Sequence, residues 1–215
     1  METIAESPAR WRRRKDARPQ EILDAALTVF AEKGFAGARM DDIAARAGVT
    51  KGTIYLYFDG KESVFKTLVR ESIGHTLLRV VENANGFEGS AADLLGAILR
   101  LIGQFMRTSD RVVLAKIVIA EFGNFPELAR FYREEVVEKG LTALGSVVTR
   151  GIARGEFRAV APEHAARLCI APILLAAVWR TTFAQTDTEP YDLEGLIETH
   201  IDVLLRGLAA DGEIP

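Results

Sequence analysis

The chain has 215 residues, 48% of them hydrophobic, and a net charge of −3; that is enough apolar content for a sizeable core and too little positive charge for indiscriminate coating of nucleic acid. No uninterrupted apolar run approaches the ~20 residues that span a bilayer, and the first residues lack the apolar stretch of a secretory signal, so a soluble, cytoplasmic protein is expected. The single Cys169 cannot form an intrachain disulfide, which fits a reducing compartment.

Charge is unevenly spread. Met1 to Lys61 carries 11 Lys and Arg against 9 Asp and Glu, and the remainder 16 against 21. The basic density peaks at Arg10 to Arg18, RWRRRKDAR, so residues 1–18 read as a flexible arm able to follow a phosphate backbone or as a solvated tail. Pro19 then opens a first helix, where its missing N–H costs nothing, with Leu23, Ala26, Leu27 and Phe30 as its inner stripe up to Gly34. A second helix follows from Met40 to Ala47, where Met40, Ile43, Ala44 and Ala47 fall at i, i+3, i+4 and i+7 and Asp41 and Asp42 complement the helix dipole. Gly48 supplies the left-handed residue that ends it. Thr50 caps a third helix, with Ile54 and Phe58 as its buried side.

Beyond Lys61 the pattern stays helical. A long helix is expected from Glu62 to Glu82, a loop from Asn83 to Gly89, and helices from Ala91 to Arg107 and Asp110 to Phe122. Another runs from Pro126 toward Arg154. The last two run from Pro162 to Gln185, kinked by Pro172, and from Asp192 to Ala209. The fold class is therefore all-α with about nine helices, divided into residues 19–61 and 62–215.

The exposed positions of the third helix are Lys51, Gly52, Thr53, Tyr55 and Tyr57, with Lys61 one turn beyond Phe58. Lysine meets phosphates or guanine edges, threonine meets thymine methyls or phosphates, and tyrosine hydroxyls meet phosphate oxygens. Arg39 and Met40, where the second helix starts, join this DNA-facing set. The three segments PQEILDAALTVFAEKGF, MDDIAARAG and VTKGTIYLYFDGKESVF, covering about the first third of the chain, resemble the DNA-binding head of TetR/AcrR-family transcriptional regulators. That resemblance implies a three-helix helix-turn-helix head, with Thr53, Tyr55 and Tyr57 lining the recognition helix and Lys61 clamping a phosphate. It also implies a larger C-terminal helical domain for ligand binding and dimerisation. Arg39 departs from it, standing where the family usually has a capping serine or threonine; the arginine gives up the cap and can reach a groove or a phosphate instead.

The final two helices are apolar on more of their circumference than a monomer's surface helix requires, so a homodimer is expected through Leu193, Leu196, Ile197, Ile201, Leu204, Leu205 and Leu208. The resemblance turns that pair into a four-helix bundle with its mate, presenting two heads to a palindromic DNA operator. For a small hydrophobic effector, the apolar candidates are Phe105, Met106, Ile117, Phe122, Phe125, Phe131, Trp179 and Phe183. Glu121, Tyr132, Thr182 and His75 are the polar anchors; each of these residues taken alone reads more readily as ordinary packing.

Catalysis, cofactor and metal find little support. His75, His164 and His200 are scattered, no HExxH or Cys/His cluster occurs, and Gly60 to Ser63 fails as a phosphate loop because Glu62 intrudes and the upstream glycine is missing. The expectation is a ligand-responsive repressor. The alternatives are an all-helical enzyme with an unrecognised site, or an effector-independent DNA-binding protein.

Overall fold

The structure, a computed structural model, describes residues 8–74, 87–184, 186, 188 and 191–210, with side chains from residue 18 onward except that of residue 73. Among them the only β feature is an isolated antiparallel bridge between Phe157 and Ala209. The α-helices are α1 (Pro8–Gly37), α2 (Met40–Arg46), α3 (Lys51–Tyr55), α4 (Lys61–Val69), α5 (Ala91–Thr108), α6 (Val113–Glu121), α7 (Pro126–Tyr132), α8 (Glu138–Ala153), α9 (Pro162–Thr182) and α10 (Leu193–Leu208). A π-helical turn, Arg133–Val137, joins α7 to α8, so these form the single long rod expected from Pro126.

The chain divides into two units, Met1–Val69 and Arg70–Pro215. The division lies later than the expected boundary after Lys61, because α4 belongs to the head: Val64, Phe65, Leu68 and Val69 are buried. The ring of Phe65 stands edge-on to Phe35 at 5.6 Å and to Phe30 at 6.1 Å, and Phe30 and Phe35 lie 5.5 Å apart. Ile22, Leu23, Ala26, Val29 and Phe30 form the buried stripe of α1. Arg70–Gly74 then forms a π-helical turn rather than α-helix, and the expected continuation to Glu82, with most of the loop before Gly89, lies outside the described residues.

The expectation about the start of α1 is corrected. The helix begins at Pro8 and runs through Pro19, so the basic segment from Pro8 to Arg18 has helical backbone rather than being a flexible arm. Proline's fixed φ is compatible with a helix, and the chain forfeits one backbone hydrogen bond there. At the other end, Gly34 with φ 70° and ψ 174° breaks the rod into a main segment and a short final turn.

In the body, α5 is the central element, packed by α8, α9 and α10. Ser90 Oγ accepts from Asp93 N–H at 3.0 Å, and the Glu156 carboxylate accepts from Ala91 N–H, so two of the orphan amides at the start of α5 are satisfied. Close approach rests on small residues. A Cβ on Gly103 would lie 2.6 Å from Ile197 Cδ1, and one on Gly151 2.2 Å from Phe157 Cδ2. Arg100 holds Glu198 through bonds of 2.7 and 2.8 Å across α5 and α10, which keeps the Glu198 carboxyl below its usual range. Helix α9 runs through Pro172. It is the one described helix long and apolar enough to cross a membrane, a length that Glu163, Arg167 and Arg180 hide from a count of uninterrupted apolar residues.

Candidate nucleic-acid interface

The turn between α2 and α3 is built as its chemistry requires. Gly48 has φ 64°, its N–H donates to Ala45 O at 3.3 Å, and Val49 N–H donates to Ala44 O at 3.0 Å, a paired closure of the last α2 carbonyls. Thr50 then caps α3, its Oγ1 accepting from Thr53 N–H at 3.2 Å and lying 2.8 Å from the Thr53 hydroxyl. Ile54 and Phe58 are buried. Helix α2 is tied to α1 by Arg46 to Glu32 at 2.7 Å and Lys33 to Asp42 at 2.8 Å; the Lys33 hydrogen bond is the chief cause holding the Asp42 carboxyl below its usual value. Arg39 gives α2 no side-chain cap and is exposed, as its departure from the usual capping residue implied.

The expected contact residues separate into three groups. Lys51, Gly52 and Tyr55 are exposed, with Thr53 and Tyr57 half-buried, so one edge of α3 faces outward. Lys51 rests against Asp41 at 3.0 Å, and this bond raises the affinity of its ammonium for the proton. Met40 is buried at 9% exposure and belongs to the head's core, which corrects its place in the DNA-facing set: it leads the stripe of α2 that packs on α1. Lys61 is also reassigned. Its Nζ donates to Phe35 O at 2.8 Å, Ala36 O at 3.0 Å and Ala38 O at 3.2 Å, and lies 4.8 Å from the Phe35 ring centroid. All three ammonium protons thus cap the chain after the Gly34 break, where helix carbonyls favour a cation. One residue escaped sequence reasoning: Leu56, between the two tyrosines, is 81% exposed. The signal was present, since Leu56 lies opposite Ile54 and Phe58 on the helical wheel.

In the body, the expected effector residues differ in burial. Ile117, Phe122 and Tyr132 are buried, and burial pushes the Tyr132 hydroxyl up to about 12. Phe105, Met106, Glu121, Phe125 and Phe131 are half-buried, Phe131 beneath the Arg70 guanidinium at 4.9 Å. Beside this, Arg111 Nη1 donates to the buried Ser72 Oγ at 2.8 Å. Trp179, Thr182 and Phe183 are exposed, which corrects their reading as an interior lining; Trp179 lies tilted against Phe183 at 5.0 Å and stacks with Tyr191 at 5.8 Å on the surface at the end of α9. His75 lies outside the described residues. His200 Nε2 lies 2.9 Å from Cys169 O, and no group of three potential metal ligands occurs among the described residues.

The expected dimer residues divide by face. Leu193, Ile197, Ile201 and Leu208 are buried inside the body, packed with α5, and are corrected from interface to core. Leu204 and Leu205 are half-buried against the same core. Leu196 remains exposed, joined one heptad later by Val203, and α9 exposes Leu168, Leu175 and Trp179.

Residues 22–68 match the bacterial regulatory proteins of the tetR family, and residues 88–198 match the tetracyclin repressor-like C-terminal domain. The fatty acid metabolism regulator protein of Bacillus subtilis strain 168 is 30% identical over 196 residues, covering 90% of this chain and 98% of that protein. Among solved structures, the transcriptional regulator FadR of Bacillus subtilis in complex with stearoyl-CoA superposes with a TM-score of 0.73 at 26% identity, over 88% of this chain and 98% of the other. The fatty acid degradation regulator FadR of Bacillus halodurans gives 0.72 at 25%, over 94% and 96%. With a helix-turn-helix head whose turn, cap and outward edge are all in place, and with both parts of the chain matched, this protein belongs to the TetR family of bacterial transcriptional regulators.

Proposed function

We propose that the chain is a homodimeric, cytoplasmic repressor that binds a palindromic operator and leaves it when a long-chain acyl thioester or a chemically similar hydrophobic effector enters the body. The observation that carries the DNA reading is the outward edge of α3, where Lys51, Thr53, Tyr55 and Tyr57 surround the uncluttered Gly52 while Ile54 and Phe58 hold the helix to the head. A recognition helix so held presents hydrogen-bonding side chains to base edges and phosphates without unfolding any core. Support for the dimer comes from the second apolar face of α9 and α10, formed by Leu168, Leu175, Trp179, Leu196 and Val203, since the other face already packs into the body. Two heads joined in this way suit half-sites ~34–36 Å apart.

The effector class rests on the relative that holds stearoyl-CoA and on the half-buried aromatic and thioether side chains of α5 and α7. Effector binding releases operator by population shift, provided it favours the state in which the two heads cannot both engage. Selection of genomic fragments by the purified protein, followed by mobility shifts with acyl-CoAs of graded chain length, tests both halves. The expected result is one palindromic sequence bound tightly and released by long chains. Binding without sequence preference sinks the DNA reading, and a complex indifferent to every acyl-CoA sinks the effector reading.

A further inference from the structure

Leu56 is 81% exposed, more than any other exposed large hydrophobic side chain among the described residues, the next being Leu175 at 65%. Its backbone is helical, with φ −72° and ψ −21°; the Leu56 and Tyr57 N–H groups donate to Thr53 O and Ile54 O in a tightened last turn, and Phe58 N–H donates to Ile54 O at 3.0 Å, so the helical path continues to residue 58. Measured from the buried pair Ile54 and Phe58, Leu56 stands directly opposite, at the outermost point of the helix. Gly52 precedes it by one turn, and a Cβ there would meet only Thr50 Oγ1, at 3.9 Å. Lys51 and Tyr55 flank this pole on one side, Thr53 and Tyr57 on the other. The leading point of the recognition edge is therefore an aliphatic side chain beside bare backbone, with the polar groups set to either side.

Within a DNA major groove, the base edges offer donors, acceptors and one apolar feature, the C5 methyl of thymine. A leucine offers no partner to a phosphate or a polar edge. We propose that Leu56 determines sequence specificity by packing on a thymine methyl at one base pair of each half-site. The proposal rests on the DNA reading above, and its test separates the two.

In the selected operator, each thymine is replaced singly by deoxyuridine, which keeps the base pair and removes the methyl, and affinities are measured for the wild-type chain, Leu56→Ala and Leu56→Met. One thymine per half-site is expected to matter to the wild type by about fourfold, the worth of one buried methyl, and by about fifteenfold when both half-sites are changed. Leu56→Ala should bind the natural operator more weakly and lose the distinction between thymine and uracil, whereas Leu56→Met should keep much of it. The two changes are thus non-additive. A wild-type chain that binds its operator specifically yet ignores every thymine methyl overturns this assignment and leaves the DNA reading standing, as does an alanine variant with an unchanged thymine-to-uracil ratio. A chain that selects no sequence overturns both.

Discussion

Removing the Lys61 ammonium while keeping its stem, as Lys61→Met, should destabilise the head rather than strip a contact from DNA. The ammonium makes three bonds of 2.8 to 3.2 Å to carbonyls of residues 35, 36 and 38 and lies against the Phe35 ring. Hydrogen bonds to a charged group are worth roughly 1.5–3 kcal/mol each at a single site, and a partly exposed cation–π contact adds about 0.5–1 kcal/mol. The three bonds share one half-exposed cation and are not additive, so a total of about 3 kcal/mol is expected. For a unit of this size that lowers the midpoint of thermal unfolding by roughly 12–24 °C. The measurement is hydrogen-exchange mass spectrometry on the full chain, following peptides across α1, α3 and α4, alongside thermal denaturation. Faster exchange should appear throughout the head while the body keeps its protection. At a temperature where the head stays folded, operator affinity and its salt dependence should both stay as in the wild type. A variant with wild-type head protection and a salt slope reduced by about one would instead put Lys61 on a phosphate and refute the reasoning.

Charge on the outer face of the last two helices should yield monomers: Leu175→Glu and Val203→Glu are expected to halve the mass seen by light scattering with the fold intact, whereas Ile201→Glu should unfold the body, and a folded, dimeric outcome for both surface variants would place the interface elsewhere. Gly151→Ala drives a methyl into the Phe157 ring and should cost about 1–3 kcal/mol in denaturant unfolding, with Phe157→Leu recovering part of the loss. Burial pushes the Cys169 thiol up to about 11 and the Tyr132 hydroxyl up to about 12. Both groups keep their protons longer in the folded chain, so the stability they support is complete below about pH 9 and is lost as pH rises through about 9–12, on the order of 2 kcal/mol for each. Equilibrium unfolding between pH 8 and 11.5 measures this, and Cys169→Ala should remove the earlier part of the decline; the native thiol should also resist thiol reagents that label it after unfolding.

Much of the architecture was legible from neighbours in the chain. The left-handed Gly48, the cap Thr50, Pro126 and Pro162 opening helices and Asp192 capping α10 all act within a turn of themselves, so their residue types specify the local backbone without reference to anything distant. The outward edge of α3 was legible for the same reason, because burying Ile54 and Phe58 dictates what the remaining positions of so short a helix face. Leu56 was overlooked through its residue type, since an aliphatic side chain draws attention to cores rather than to grooves.

What only the tertiary structure decided is which of several apolar or charged side chains meets which distant partner. Helix α10 carries apolar residues around much of its circumference, and α5, packed against it from about a hundred residues upstream, determines that Ile197 and Ile201 turn inward and Val203 outward. Lys61 has the type and position of a phosphate ligand, yet carbonyls more than twenty residues earlier occupy its ammonium once Gly34 breaks α1. Period, caps and turn residues act over a few positions and are written in the chain; the covering of a face and the pairing of a charge require elements that only folding brings together.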